Sequence, residues 1–455
     1  MIRRPTAGRR GGGEGSKGTT VPTQPSGAPV RVRLQTAATS SATLLAGVVN
    51  AAILALSARF GQTEEIGAYT VMTAALAWVS IILVGGSSML YLSGSEAERH
   101  AVRSQRLLVA VPVLAAATMV VAVAYSGRGY SLFALVAAGV TAIGNNLFEL
   151  QSADLARQLR SAWAALVMCV TKLLALVMVL AGLPLTAALA IATLVLLAAA
   201  EALCCRGAAG RRPLWRNLSA RSGLAAFRLN RQLFVYSGAE AFVSRVPTLM
   251  LSLVSTPVVM GCFGAVVGIY QALASVPYSG LRTSAAMRAR HRHDPEMRST
   301  QGYEGEILMA AVAAIIAIGT VLTAPWVTEL LRLPMADSTL WLRLLILAMP
   351  FLVITRAVSL NLIVSGDHRS AVRNAVLVAV LTGLALAAQL PGLTPTEAAA
   401  TTLAVEMTNL PVLVAVTVLA RRRKRRGPPT PRGRHRTGTA TTPVNAAPSV
   451  PTSFS

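Results

Sequence analysis

Acidic residues are scarce in this chain. Its 455 residues include 18 Asp and Glu against 42 Lys and Arg, for a formal charge of +24, and charged residues of both signs make up only 13%. A soluble basic protein spreads its charge along helix faces; here long segments hold none, so the basic excess meets a membrane surface first. Cysteine is nearly absent. Cys169, Cys204, Cys205 and Cys262 fall in or beside apolar stretches, without ligand spacing, which excludes a disulfide framework or zinc site as the organising principle. The five histidines, His100, His291, His293, His368 and His435, fall in polar loops or the tail, and no metal site is expected. No glycine-rich loop carries the lysine and hydroxyl residue of a nucleotide triphosphatase. Aromatics are only 5% and do not interleave with the arginines, so nucleic acid is not an expected partner. Intramembrane carboxylates are single and scattered, without a paired acid/base site. No enzyme and no cofactor is expected.

What is present is apolar length. Hydrophobic residues make up 54% of the chain, and the mean hydropathy is +0.57. A bilayer core about 30 Å thick needs about 20 apolar residues per helix. Only helices or closed barrels satisfy their backbone there, and continuous apolar runs without dyad alternation select helices. The length rule predicts about twelve spans, at 37–58, 66–91, 107–125, 130–150, 162–182, 184–204, 232–254, 257–281, 306–325, 338–364, 371–390 and 397–420.

The arginines set the orientation. With the N-terminus inside, the predicted cytoplasmic segments hold Arg99, Arg103 and Arg106, a central cluster from Arg206 to Arg231, a third from Arg282 to Arg298, and the run from Arg421. The predicted external loops hold only Arg59, Arg128 and Arg332. This asymmetry fits an even number of spans with both termini cytoplasmic in the cell membrane. The expected organisation is a disordered basic tail at 1–35, a six-helix lobe at 36–204, a basic linker at 205–231, a second six-helix lobe at 232–420 and a disordered basic tail at 421–455. Anionic lipids at the cytoplasmic face are the expected partners of these charges.

Doubling of this kind is usual in secondary transporters, with the substrate site between the halves. A short echo supports it. Gly61, five intervening residues, then Gly67 and Tyr69 follow the first helix; Gly261, then Gly268 and Tyr270, follow the seventh. Equivalent positions imply parallel repeats. The stretch Leu56–Gly61 through Glu65–Tyr69 resembles the first helix pair of the polysaccharide-biosynthesis flippases of the multidrug/oligosaccharidyl-lipid/polysaccharide exporter superfamily. There an arginine near the external end of helix one precedes a turn and a Gly-x-Tyr that opens helix two. That resemblance implies two lobes rocking about a central cavity and a polyprenyl-diphosphate-linked oligosaccharide as substrate, with glycan assembly machinery as a further partner. Lipid-II flippases of that superfamily usually have two more helices, whereas here the twelfth span runs into Arg421–Arg426.

Charge inside a span costs roughly 3 kcal/mol and marks a cavity or a partner; besides the residues below, Glu149 is such a charge, near a helix end. Arg59, Lys172, Arg245 and Arg356 are the candidates for neutralising a diphosphate head group, since arginine offers a planar fork to phosphate oxygens. The competing readings are interfacial anchoring for Arg59, snorkelling for Lys172 and a Glu240–Arg245 pair along one helix. Glu406, one turn before Asn409 and Pro411, is a candidate for ion coupling, as is Glu240, against a plain interhelical hydrogen bond. Asn50, Asn145, Asn146 and Asn361 read as helix glue or sugar contacts. Pro247, Pro277, Pro350 and Pro411 read as hinges or static kinks. The leading expectation is a flippase or exporter of lipid-linked glycan working by alternating access. The alternatives are an ion-coupled drug or metabolite antiporter of the same fold, a membrane-embedded glycan polymerase or ligase, and a helper subunit of a glycan assembly complex.

Overall fold

The computed structural model describes residues 28–85, 96–158, 160–206, 218–229, 231–290, 304–364 and 367–425. The expected tails up to residue 27 and from 426, and the linker arginines Arg211, Arg212 and Arg216, lie outside them. All regular elements among the described residues are helical. In chain order they are α1 (Ala28–Arg59), α2 (Thr63–Val84), α3 (Glu96–Ser126), α4 (Leu132–Arg157), α5 (Ser161–Leu180), α6 (Leu185–Arg206), α7 (Ala220–Leu229), α8 (Arg231–Val254), α9 (Pro257–Arg290), α10 (Glu304–Leu330), α11 (Ser338–Val364), α12 (His368–Gln389) and α13 (Pro395–Arg425). Ten of these contain a stretch long and apolar enough to cross a membrane. The chain is a multi-pass membrane protein. α1 and α8 complete the two bundles; α8 falls short of the apolar threshold because it carries Glu240 and Arg245.

The reversals after α1, α3, α5, α8, α10 and α12 are two to seven residues long, and together these form one end of the molecule, the short-loop end. In the first half each turns on a glycine in the left-handed region: Gly61 at φ 76°, Gly129 at φ 87° and Gly182 at φ 89°. Other residues pay a steric penalty there. After α10 the same task falls to Arg332 at φ 48°. Among the described residues the opposite end carries Arg99, Arg103, Arg160, Arg221, Arg369 and Arg373.

Helices α1–α6 form one bundle, tied chiefly by α1 on α5 and α4 on α6, and α8–α13 form the other, tied by α8 on α12 and α11 on α13. The bundles meet where α1 and α2 face α8 and α9. Large apolar side chains such as Val120, Ile315, Leu322 and Trp326 face outward, more than 60% exposed. The hydrocarbon solvent explains that distribution, which water would not tolerate at this scale.

Several expected boundaries move. α1 begins at Ala28, inside the expected tail, because Pro29 is accommodated in a first helical turn. α13 runs on to Arg425, five residues into the expected C-terminal tail. The linker contains α7, which packs on α3: the Ser219 backbone N–H donates to Ser104 Oγ at 3.2 Å. Gly223 lies against the Gln105 backbone too closely for any side chain. Phe227 stacks on Phe234 of α8 at 5.0 Å between centroids, so α7 touches both lobes. α3 begins ten or so residues before its predicted span, and Gln105–Ala110 adopt a π-helical turn. Such turns are rare and cluster at functional sites.

Candidate functional site

The lobes enclose a cavity of about 620 Å³. From the first lobe it is lined by α1 (Asn50, Leu54), α2 (Tyr69 to Ile81), α4 (Asn145, Asn146, Glu149) and α5 (Lys172); from the second by α8 (Arg245, Thr248) and α9 (Gly264 to Ser275). A second cavity of about 270 Å³ lies within the second lobe, lined by Tyr270, Tyr278, Arg356 and Glu406. Arg245, Gln271 and Ser275 line both.

A glycine seam separates the central cavity from the short-loop end. A Cβ on Gly67 would press on the Pro257 carbonyl, one on Gly261 on the Thr63 carbonyl, and one on Gly264 on Thr70. Gly268 abuts Leu54 of α1 in the same way. Small residues let membrane helices approach backbone to backbone. The seal is completed by Tyr125 bonded to Ser252 at 2.7 Å, and by Arg128 donating to the Leu253 carbonyl at 2.7 Å. At the other end α2 and α8 meet where Gly85 faces Ser237.

The sequence echo needs correction here. Tyr69 lies six residues into α2, but Tyr270 lies thirteen into α9, and the matching turn is Ser255–Thr256, not Gly261. The motif does not open both helices. The two tyrosines nevertheless converge, since both are electrostatic neighbours of Arg245.

The four candidate cations separate. Lys172 and Arg245 line the central cavity from opposite lobes. Lys172 is eight residues from the Leu180 end of α5 and Arg245 nine from the Val254 end of α8, depths of about 12 and 13 Å from the short-loop end at the helical rise. Lys172 Nζ donates to Asn50 Oδ1 at 2.9 Å, and among the described residues no ion pair joins either cation. Arg356 instead pairs with Glu240 inside the second lobe. Arg59 is exposed in the last turn of α1, outside both cavities, where a cation complements the helix dipole.

The competing reading, a Glu240–Arg245 pair along one helix, is not what forms: Glu240 pairs with Arg356. Five residues rotate a helix by about 140°, so Arg245 faces the lobe interface while Glu240 faces α11. Tyr236 also donates to Glu240. Glu406 is buried at 5% exposure and lines the second cavity with Arg356, and Asn374 Nδ2 donates to Asn409 Oδ1 at 2.9 Å. No cluster of metal-ligating side chains occurs among the described residues.

Sequence reasoning missed one group. Arg106, read as a loop residue, is 1% exposed and donates to the Asn146 carbonyl at 2.9 Å. It also forms a 3.2 Å ion pair with Glu149. The signal was the three-residue spacing of Arg103 and Arg106, which puts both on one helix face.

No family model and no curated protein matches the sequence. Solved structures do. The lipid II flippase MurJ in an inward closed conformation aligns with a TM-score of 0.65 at 12% identity, over 84% of this chain and 87% of that one. The MATE multidrug transporter DinF-BH, solved in a ligand complex, aligns with a TM-score of 0.61 at 15% identity, over 87% and 95%. An inward-facing MATE family transporter of the MOP superfamily gives 0.52 at 12%, over 86% and 94%. With its two bundles, interposed cavity and alignments over 84–87% of its length, this chain has the fold of these solved transporters.

Proposed function

We propose that this protein is a cell-membrane transporter that moves a polyprenyl-diphosphate-linked glycan between leaflets by alternating access, without enzymatic chemistry of its own. The observation that carries this reading is the placement of Lys172 and Arg245 at one depth on opposite lobes of the central cavity. A diphosphate between them would be clasped by both lobes at once, and an ion shared across the interface ties its occupancy to lobe position. A charge held in the low-dielectric membrane interior gains more from two cations than it would in water. The likeness to MurJ supports the same reading. The arginine-bearing end is the cytoplasmic one on this view, by the charge asymmetry of the loops, and basic segments there face anionic lipid.

The test is a leaflet assay on the full chain in liposomes, with a fluorescent farnesyl-diphosphate-linked disaccharide and quenching of the outer leaflet. Protein-dependent loss of the protected fraction is expected. R245M and K172M should each slow it roughly tenfold or more, the effect of one lost charge-assisted hydrogen bond. Flipping at the rate of empty liposomes would overturn the proposal.

A second reading rests on Glu406, a buried carboxylate beside a cavity in the second lobe. Membrane carboxylates in such places bind protons or sodium, and the likeness to DinF-BH favours a drug antiporter. Cation-gradient-driven efflux of a fluorescent cationic dye, abolished by E406Q, together with no flipping, would select it. Glu240 is less suited to that role because Arg356 already neutralises it.

A further inference from the structure

The central cavity is bipolar. Lys172 and Arg245 mark one pole. Glu149 is seventeen residues from the Leu132 start of α4, about 25 Å from the short-loop end and so about 12 Å beyond the cations along the cavity. Around it are Asn145, which is exposed into the cavity, and Ser80, which accepts a hydrogen bond from Asn146.

A carboxylate in a cavity built for an anion opposes binding unless something uses it. Among the described residues two ion pairs join α3 to α4, and their contrast decides which side chain serves which. In Arg103–Asp154, at 3.3 Å, the carboxylate is buried at 6% exposure and the arginine is 29% exposed. In Arg106–Glu149, at 3.2 Å, the order reverses: the arginine is 1% exposed and the carboxylate 46%. A counterion kept for stability alone would be covered, as Asp154 is. Glu149 is held from behind by a buried guanidinium, on a π-helical turn, and presented to the cavity.

We propose that Glu149 is a specificity-determining residue that accepts hydrogen bonds from the hydroxyl-rich end of the substrate, while the anionic end lies between Lys172 and Arg245. Arg106 is its positioning residue. This rests on the reading of the cavity as the glycan path and extends it: the substrate is elongated, anionic at one end and a dense hydrogen-bond donor at the other. A carboxylate has acceptor sites only, so it favours sugar hydroxyls and disfavours a bare phosphate. A site built for a hydroxyl rejects an analogue that lacks it, because its own polar group is left unmatched.

Two probes separate the poles: farnesyl diphosphate, and farnesyl diphosphate bearing a disaccharide. Each is titrated against the full chain in nanodiscs of neutral lipid. The wild type should bind the disaccharide form roughly tenfold more tightly than the bare form, the value of one hydrogen bond to a charged group. E149Q keeps an oxygen acceptor for Arg106 but loses the charge. It should lose most of that margin by weaker binding of the disaccharide form, and bind bare farnesyl diphosphate at least as tightly as the wild type does. E149D, which keeps the charge, should retain part of the margin, and thermal unfolding of each variant checks that the fold is intact. An unchanged margin in E149Q, or equal weakening of both probes, overturns the proposal and leaves the cavity reading standing. Failure of the wild type to bind either probe overturns both.

Discussion

Glu240 of α8 pairs with Arg356 of α11, and Arg245, on the same helix as Glu240, is left to the space between the lobes. The two arginines looked alike in the sequence, each a single charge in an apolar run. Their surroundings give them opposite tasks. Arg356 joins helices inside one lobe, whereas Arg245 lines the central cavity together with Tyr69 and the second-lobe cavity together with Tyr270.

That division predicts different failures. R356M leaves Glu240 without its counterion at 21% side-chain exposure. Stranding one partner of a mostly buried pair costs about 3–5 kcal/mol, so R356M should unfold at distinctly lower temperature in detergent. The double variant E240Q/R356M should recover most of the loss, because no stranded charge remains. R245M should unfold with the wild type and fail only in transport. Thermal unfolding of the three purified variants checks the ordering.

The glycine seam predicts a second effect. Gly261 lies against the Thr63 backbone, which cannot rotate out of the way as a side chain can. G261A must push α2 and α9 apart, and overpacking typically costs about 1–3 kcal/mol. The expected outcome is a loosened short-loop end, with faster labelling of a cysteine placed at Thr70 from that side and slower transport. Gly127 is the control: its φ is −66° and an added Cβ would meet nothing within 4 Å. G127A should match the wild type in both assays.

Hydropathy and the arginine pattern made the fold legible, because the bilayer imposes one length on every span and one sign on every second loop. Lys172 and Arg245 were legible for a related reason: a charge deep in an apolar run is costly enough to be conspicuous. Which helix face each occupies was not legible at the same level, and Arg59 and Arg356 were grouped with them for that reason. The partner of Glu240 lies on another helix, so no local spacing reveals it. Glu149 was visible as a charge near a helix end, but its partner Arg106 was hidden by the length rule itself. It began the third span at 107, whereas the helix begins at Glu96 and passes through a π-helical turn that carries Arg106 into the interior. Tyr69 and Tyr270 were found through an echo whose register does not hold; their convergence on Arg245 comes from packing between lobes.

The two ion pairs joining α3 and α4 give the last prediction. R106L removes a guanidinium that is 1% exposed, together with the donor to the Asn146 carbonyl. The lost hydrogen bond at a buried carbonyl alone costs about 1–3 kcal/mol, and the cavity carboxylate loses its support. R103L removes a side chain that is 29% exposed, while Asp154 keeps a 3.1 Å hydrogen bond from Gln158. Partly exposed pairs of that kind are worth about 1 kcal/mol or less. R106L should therefore unfold at lower temperature than R103L, and R106K should recover only part of the difference, since an ammonium lacks the fork that serves the carbonyl and the carboxylate together. If R103L and R106L melt together, the buried guanidinium is not the support that the geometry of α3 implies, and the presentation of Glu149 needs another cause.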